Sequence, residues 1–313
     1  MDAQTPHYQP MSDFKPKGHL AMLGANAMWG LMSPVAKLVM ATGLVSPLLM
    51  TGFRIYGAAL LFWILSLFTE REHVPPRDLA LLAGAAMLGI LCNQGCFLFG
   101  VGLTSPGEAS VITTTMPMWV MVLAWVILKE PITLKKAGGI AFGATGAILL
   151  VVNGAAGGGM KGDNPALGDL LVLTAQLSYA LYLTLYKDFI RRYSLVTLMK
   201  WMFLFAAIAL TPIAAKTFIT APWAEIGRMQ VAGIAYVTVC GTFLAYICVM
   251  IGQKNLRPTL VGMYNYVQPV VAMLIGVCLG LDRFTPVKAL AVVLIFGGVF
   301  LVTISRAKSP AEH

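Results

Sequence analysis

The chain carries one pattern twice. Residues 104–134 and 256–286 align without a gap at a separation of 152 positions. The alignment places Pro106 on Pro258, Pro117 on Pro269, Glu130 on Asp282, Thr133 on Thr285 and Lys136 on Lys288. Gly100 and Gly252 extend the match upstream, and Gly146 and Gly298 extend it downstream. An internal duplication decides the architecture before any local preference is weighed.

Between its charged residues the chain stays apolar for roughly 18–22 residues at a time, the length that crosses about 30 Å of hydrocarbon as a helix. Only 11% of the residues are charged and 58% are hydrophobic, with a mean hydropathy of +0.79. A soluble domain carries about 25% charge, so a solvated surface is excluded. The apolar runs cover about 19–41, 46–68, 78–102, 107–128, 135–153, 168–187, 195–214, 229–252, 258–280 and 287–305. A membrane β-barrel would need alternating segments of about ten residues, which these continuous runs are not. We predict an all-α integral membrane protein with ten transmembrane helices.

The net charge of +9 is distributed by side. With the N-terminus inside, fourteen Lys and Arg residues fall in cytoplasmic segments and five on the other side, Lys161, Lys216, Arg228, Arg283 and Lys288. That is the asymmetry of a multi-pass protein of the cytoplasmic membrane with both termini cytoplasmic. It points to a lipid bilayer as partner and away from nucleic acid. Five helices per half is an odd number, so the second half enters from the opposite face and the repeats are inverted. The predicted organisation is a tail at 1–18, a first five-helix repeat at 19–153, a Gly-rich extracytoplasmic linker at 154–167, a second repeat at 168–305 and a tail at 306–313. The pattern leaves monomer and homodimer open.

The residues carry no catalytic or metal constellation, and we expect no enzyme and no cofactor. The five cysteines, Cys92, Cys96, Cys240, Cys248 and Cys278, fall inside apolar runs and read as small buried hydrophobes. The histidines His7, His19, His73 and His313 are expected in tails or loops, and no acid is expected at mid-depth. A proton pump usually needs such a titrating group within the membrane.

Polar residues recur inside the predicted helices. The early helices of the two halves match at an offset of 150, Asn26 on Gln176, Trp29 on Tyr179 and Lys37 on Lys187. Asn26, Trp29 and Lys37 share one helix face. Asn93 and Gln94 sit mid-helix, with Ala245 and Tyr246 at the matching positions. Thr113, Thr114 and Thr115 lead into Pro117, and Tyr264, Asn265 and Gln268 lead into Pro269. Polar and aromatic groups on one face of a lipid-embedded helix should turn to the bundle or to a water-filled path. Amides beside aromatic faces suit a small amphipathic solute. The candidate substrate-binding set is Asn26, Trp29, Asn93, Gln94, Trp119, Gln176, Tyr179, Tyr246, Tyr264, Asn265 and Gln268. Pro117 and Pro269 are expected to bend helices that gate the path, since proline removes a backbone donor. Threonines before such a proline also serve simply to repair the backbone.

Lys37, Arg54, Glu108 and Lys200 are the candidate charge sites. Lys37 is expected to snorkel near a helix end, as is Lys187, while Arg54 and Lys200 would pair with a carboxylate or face an anionic solute. Glu108 would favour the start of its helix or serve at an outer mouth. Glu130 and Asp282 read as markers of helix ends.

These features resemble the drug/metabolite transporter superfamily, specifically its EamA-type branch, across about residues 19–305. The resemblance rests on Trp29-Gly30 followed by Lys37, on Arg54, and on the two helix ends ILKEPIT at 127–133 and GLDRFTP at 280–286. It implies a secondary transporter exporting small metabolites, often amino acids or their derivatives and sometimes toxic organic compounds, from a central cavity between the repeats. The small multidrug exporters of that superfamily use a glutamate in their first helix, where this chain has Asn26. An exchanger of phosphorylated or nucleotide-linked metabolites, or a membrane scaffold or receptor without transport, are the rival readings.

Overall fold

The computed structural model describes residues 15–104, 109, 112–155, 164–190, 192–278 and 285–305. Glu108 and Asp282, and most of both tails and of the expected linker, lie outside the described residues. Helix α1 spans Pro16–Met40, α2 Pro47–Ser66, α3 Pro76–Leu103, α4 Met116–Leu128 and α5 Leu134–Ala155. In the second half α6 spans Pro165–Leu185, α7 Leu195–Ile219, α8 Arg228–Asn255 and α10 Pro286–Thr303. Helix α9 comes in two pieces, Pro258–Met263 and Val267–Cys278, joined by a tight turn at Tyr264–Tyr266.

Local chemistry sets these starts. Pro16, Pro47, Pro76, Pro165, Pro258 and Pro286 occupy the first helical turn, where a missing N–H has no helical partner to lose. The side chains of Ser46, Asn164, Ser194 and Thr285 accept from backbone N–H groups three residues on and cap α2, α6, α7 and α10. Among the described residues, α2, α3, α6, α7, α8 and α10 each hold a stretch long and apolar enough to cross a membrane. Their outward faces carry exposed Leu60, Ile208, Ile213, Val293 and Phe300. The chain is an all-α, multi-pass integral membrane protein.

The packing pattern survives exchange of the two halves. Helix α1 packs on α8 and α9, and correspondingly α6 packs on α3 and α4; α2 packs on α7, and α5 on α10. Exchanging α1–α5 for α6–α10 maps each of these pairs onto another or onto itself, as a pseudo-twofold axis requires. The directions follow from the contacts. Gly18, at the start of α1, abuts Asn255 and Leu256 at the end of α8, and Val39 abuts Gly233 near the start of α8. Gly100 abuts Gly168, and Gly84 abuts Tyr186, so α3 and α6 are likewise antiparallel. Lys37 reaches the backbone of Val101, which makes α1 and α3 parallel. Helix α6 therefore runs against its mate α1, and the repeats are inverted.

Without a hydrophobic force between helices in lipid, close packing needs small residues at the crossings. The α5–α10 crossing uses them twice, and the two contacts are repeat mates. A Cβ on Gly298 would lie 2.4 Å from the Gly139 oxygen, and one on Gly146 would lie 2.6 Å from the Ala291 oxygen. Gly298→Ala should therefore destabilise the protein by about 1–3 kcal/mol through overpacking. Gly297→Ala, which meets nothing within 4 Å, should be neutral or stabilising by up to ~1 kcal/mol. Thermal unfolding in detergent, with both variants side by side, checks the contrast.

Candidate functional site

Two helices per half depart from regular α geometry, at matching positions. Helix α3 widens into a π-helical turn at Met87–Cys92, and α8 does so at Val239–Leu244. These segments lie 152 residues apart, the spacing of the repeat. Such turns are rare and gather at functional sites. In hydrocarbon a displaced backbone carbonyl needs a partner from elsewhere in the protein, and here side chains of other helices supply it. Trp29 Nε1 donates to the Gly241 oxygen at 2.9 Å, the Tyr246 hydroxyl to the Gly89 oxygen at 3.2 Å and Ser178 Oγ to the Leu88 oxygen at 2.7 Å. Both turn glycines admit a large neighbour, Tyr182 against Gly89 and Met32 against Gly241, again repeat mates.

Both prolines follow a local change in helix geometry. Before Pro117 the chain turns at Thr114–Thr115, and before Pro269 it tightens at Tyr264–Tyr266. A proline ring clashes with the carbonyl four residues earlier, so the regular hydrogen-bond ladder is interrupted there and the chain tightens locally. Those residues are Thr113 and Asn265, and both line one cavity.

That cavity has about 60 Å³ of room for water-sized groups, and about 500 Å³ when all space between atoms out to its open mouth is counted. Trp29, Asn93, Gln94, Gln176, Tyr179, Tyr246, Asn265 and Gln268 of the sequence-derived set lie on its wall, as does Arg54. The axis of pseudosymmetry passes through it, because repeat mates touch across it. Gln94 Nε2 donates to the Tyr246 hydroxyl at 3.0 Å, and the rings of Trp29 and Tyr179 meet edge-on at 6.5 Å. Trp29 also meets Tyr246 edge-on at 6.0 Å. Gln268 Nε2 bridges Asn26 Oδ1 at 3.0 Å and Asn265 Oδ1 at 3.2 Å, and Asn93 Nδ2 donates to the Ala175 oxygen at 2.9 Å.

Three sequence candidates are not on the wall. Asn26 is fully buried and stands behind Gln268. Tyr264 turns its hydroxyl away to hydrogen-bond with His19. Trp119 packs against the apolar core. His19 itself lies in the first turns of α1, not in a tail or loop, because α1 begins at Pro16. Met32, Phe97 and Thr113 complete the wall and were not singled out from the sequence as binding residues. For Met32 the clue was available, since it is the repeat mate of Tyr182. Phe97 offered none.

The charge sites also differ from expectation. Lys37 does not snorkel; its Nζ donates to the oxygens of Val101 at 2.9 Å and Gly102 at 3.3 Å, where a cation suits the end of α3. Lys200 lies 5.4 Å from the centre of the Trp63 ring, away from the cavity. Neither Arg54 nor Lys200 forms an ion pair with a described carboxylate.

On the side where α1 begins, polar contacts close the bundle. Gln253 Nε2 donates to the Tyr179 hydroxyl at 3.1 Å, and Gln253 Oε1 accepts from Tyr182 at 3.3 Å. Glu130 is more than a helix-end marker. Lys129 takes a left-handed conformation, φ 53°, and ends α4. The Glu130 carboxylate then meets Lys136 at 3.1 Å and, across the repeats, Lys187 at 3.0 Å. Lys187 is thus paired rather than snorkelling. Burial alone would raise the Glu130 pKa, but the hydrogen bond and charge of Lys187, joined by Lys136, hold it below its ordinary value of 4.5.

Inverted halves, broken helices and a shared polar cavity at their axis define the class, a membrane transporter of small molecules. The sequence model of the EamA-like transporter family matches the chain twice, at residues 16–152 and 166–304. The chain belongs to the EamA-like transporter family. It is 29% identical to the uncharacterized inner membrane transporter YedA of Escherichia coli (strain K12), over 85% of this chain and 84% of that protein. It is 23% identical to the uncharacterized transporter YetK of Bacillus subtilis (strain 168), over 94% and 89%. A solved crystal structure shares the fold, with a TM-score of 0.72 at 18% identity, covering 93% of this chain and 98% of the other.

Glu130 joins the halves, so its loss should be felt at neutral pH. Its lowered pKa means that its contribution is complete above pH 4.5 and disappears as pH falls through the lowered value. Glu130→Gln should destabilise the protein at pH 7 by about 2–4 kcal/mol, since it leaves Lys136 buried and unpaired. The difference from the native chain should shrink as pH falls from 4.5 through the lowered pKa. Detergent melts across pH read both.

Proposed function

We propose that the chain is a secondary transporter that exports a small metabolite, an amino acid or amino-acid derivative, across the cytoplasmic membrane by alternating access. The observation that carries this reading is the cavity on the pseudo-twofold axis. Its wall takes amides and aromatic rings from both halves, so a solute there touches both bodies that must move. Amides orient a solute through hydrogen bonds, while ring faces receive its apolar part. Met32, Phe97, Thr113 and Arg54 join the proposed binding set, Asn26 holds Gln268 in place, and the breaks before Pro117 and Pro269 serve as moving joints. The polar closure at the N-terminal side corresponds to a state shut toward the cytoplasm. The charge asymmetry, which favours cytoplasmic termini, supports that placement.

An exchanger of phosphorylated or nucleotide-linked metabolites would need a basic cluster at the cavity. Of Arg54 and Lys200, only Arg54 borders it. A scaffold or receptor would not need a polar cavity lined by repeat-related residues of both halves.

Counterflow in proteoliposomes tests the assignment, with amino acids, nucleotides and organic cations offered with and without a pH gradient. Amino-acid counterflow is the expected result, and counterflow of nucleotides alone overturns it. Gln268→Ala and Asn93→Ala should each lower the rate about five- to tenfold, the value of one lost hydrogen bond at a bound solute, with normal folding. Unchanged rates in both would remove these residues from the site.

A further inference from the structure

Arg54 is the one cation on the described cavity wall, and its surroundings are unusual. It sits in α2, 3% exposed, with Nε donating to Thr242 Oγ1 at 3.0 Å. Thr242 passes its own proton to the Val237 oxygen at 2.8 Å, so it acts purely as an acceptor and fixes the guanidinium plane. Among the described residues no carboxylate pairs with Arg54, and its one hydrogen bond is that of Nε. A guanidinium has five N–H donors, so both Nη groups remain for the cavity. A charge in the membrane interior without a partner is expensive to hold. Structural arginines in such places pair with carboxylates or backbone carbonyls; among the described residues this one does neither.

A second orphan stands on the same wall. Gln94 uses its Nε2 on Tyr246, while its Oε1 is buried without a hydrogen-bond partner. The Tyr246 hydroxyl gives its proton to Gly89, which fixes the orientation of the Gln94 amide. The wall thus offers the Arg54 guanidinium and, buried just beneath its surface, the unpartnered Gln94 Oε1, with the rings of Trp29, Tyr179 and Tyr246 nearby.

We propose that Arg54 binds the carboxylate of the transported solute through its two Nη groups, and that Gln94 Oε1 with the adjoining ring faces receives the solute's ammonium group. The recognised class is a zwitterion with a free carboxylate beside a primary amine. This rests on the transport reading above and names the solute chemistry of the same cavity. The fork of a guanidinium matches the two oxygens of a carboxylate, and aromatic faces attract a desolvated ammonium. A single cation suits one negative charge. A phosphomonoester dianion would call for a second cation beside Arg54, and no other stands on the described wall.

The test uses counterflow by the purified full-length protein in liposomes. The probes are leucine, threonine, phenylalanine and glutamine, each beside its carboxamide and its decarboxylated amine, with glycerol 3-phosphate as the phosphomonoester. The native chain should prefer at least one amino acid over its amide and amine by tenfold or more. Arg54→Gln should abolish that preference, and Arg54→Lys should restore part of it, since it keeps the charge but loses the fork. Arg54→Gln should also melt no lower than the native chain, because it removes an unpaired buried charge. A structural arginine would show the opposite, a lowered melting point with its discrimination intact. Equal transport of acids, amides and amines by the native chain, or preference for glycerol 3-phosphate, overturns the carboxylate assignment while leaving transport standing. Counterflow of none of these probes overturns the transport reading along with it.

Discussion

Everything at the centre of this molecule depends on one requirement, that no backbone carbonyl goes without a donor in hydrocarbon. The chain departs from regular helix in α3 and α8 through π-helical turns, and before Pro117 and Pro269 through breaks. Each departure displaces backbone groups. Trp29, Ser178 and Tyr246 donate to those of the π-turns from other helices. Polar side chains are therefore drawn to the bundle centre by the backbone's own needs, and a polar cavity follows. The cavity and the irregular helices are one device seen from two sides.

Inversion places this device on an axis. A residue near a pseudo-twofold axis meets its own repeat mate, as Gln94 meets Tyr246 and Trp29 meets Tyr179. Such contacts belong to neither half alone. A relative tilt of the halves must change them, while the glycine crossings of α5 on α10 lie elsewhere in the bundle and hold the halves together. The ion triad of Glu130, Lys136 and Lys187 also joins the halves, near the end where α1 begins.

Much of this was legible in the sequence. The 152-residue echo, read with the apolar runs and the charge asymmetry, yields two inverted halves without coordinates. Repeat-matched polar residues pointed to most of the wall. What remained hidden has physical reasons. Side-chain direction decided against Tyr264 and Trp119: both lie on the broken helices, but one turns to His19 and the other to the core. Met32 and Phe97 carry no polarity to distinguish them from lipid-facing residues. Glu130 read as a boundary because its partner Lys187 lies 57 positions away. Gln253 has no polar repeat mate and was hidden at a helix end. Arg54 was noticed for its charge, but only the structure shows that no described carboxylate pairs with it.

The central claim is that the cavity on the axis opens to each side of the membrane in turn. Accessibility of a single cysteine on its wall tests this directly. Gln176→Cys, in a chain whose five native cysteines are replaced, would be challenged in oriented vesicles with a membrane-impermeant maleimide added from one face or the other. The account predicts modification from both faces, with the balance shifting when a transported solute is supplied on one side. Modification from one face only, indifferent to solute, would mean a fixed pocket and would contradict it.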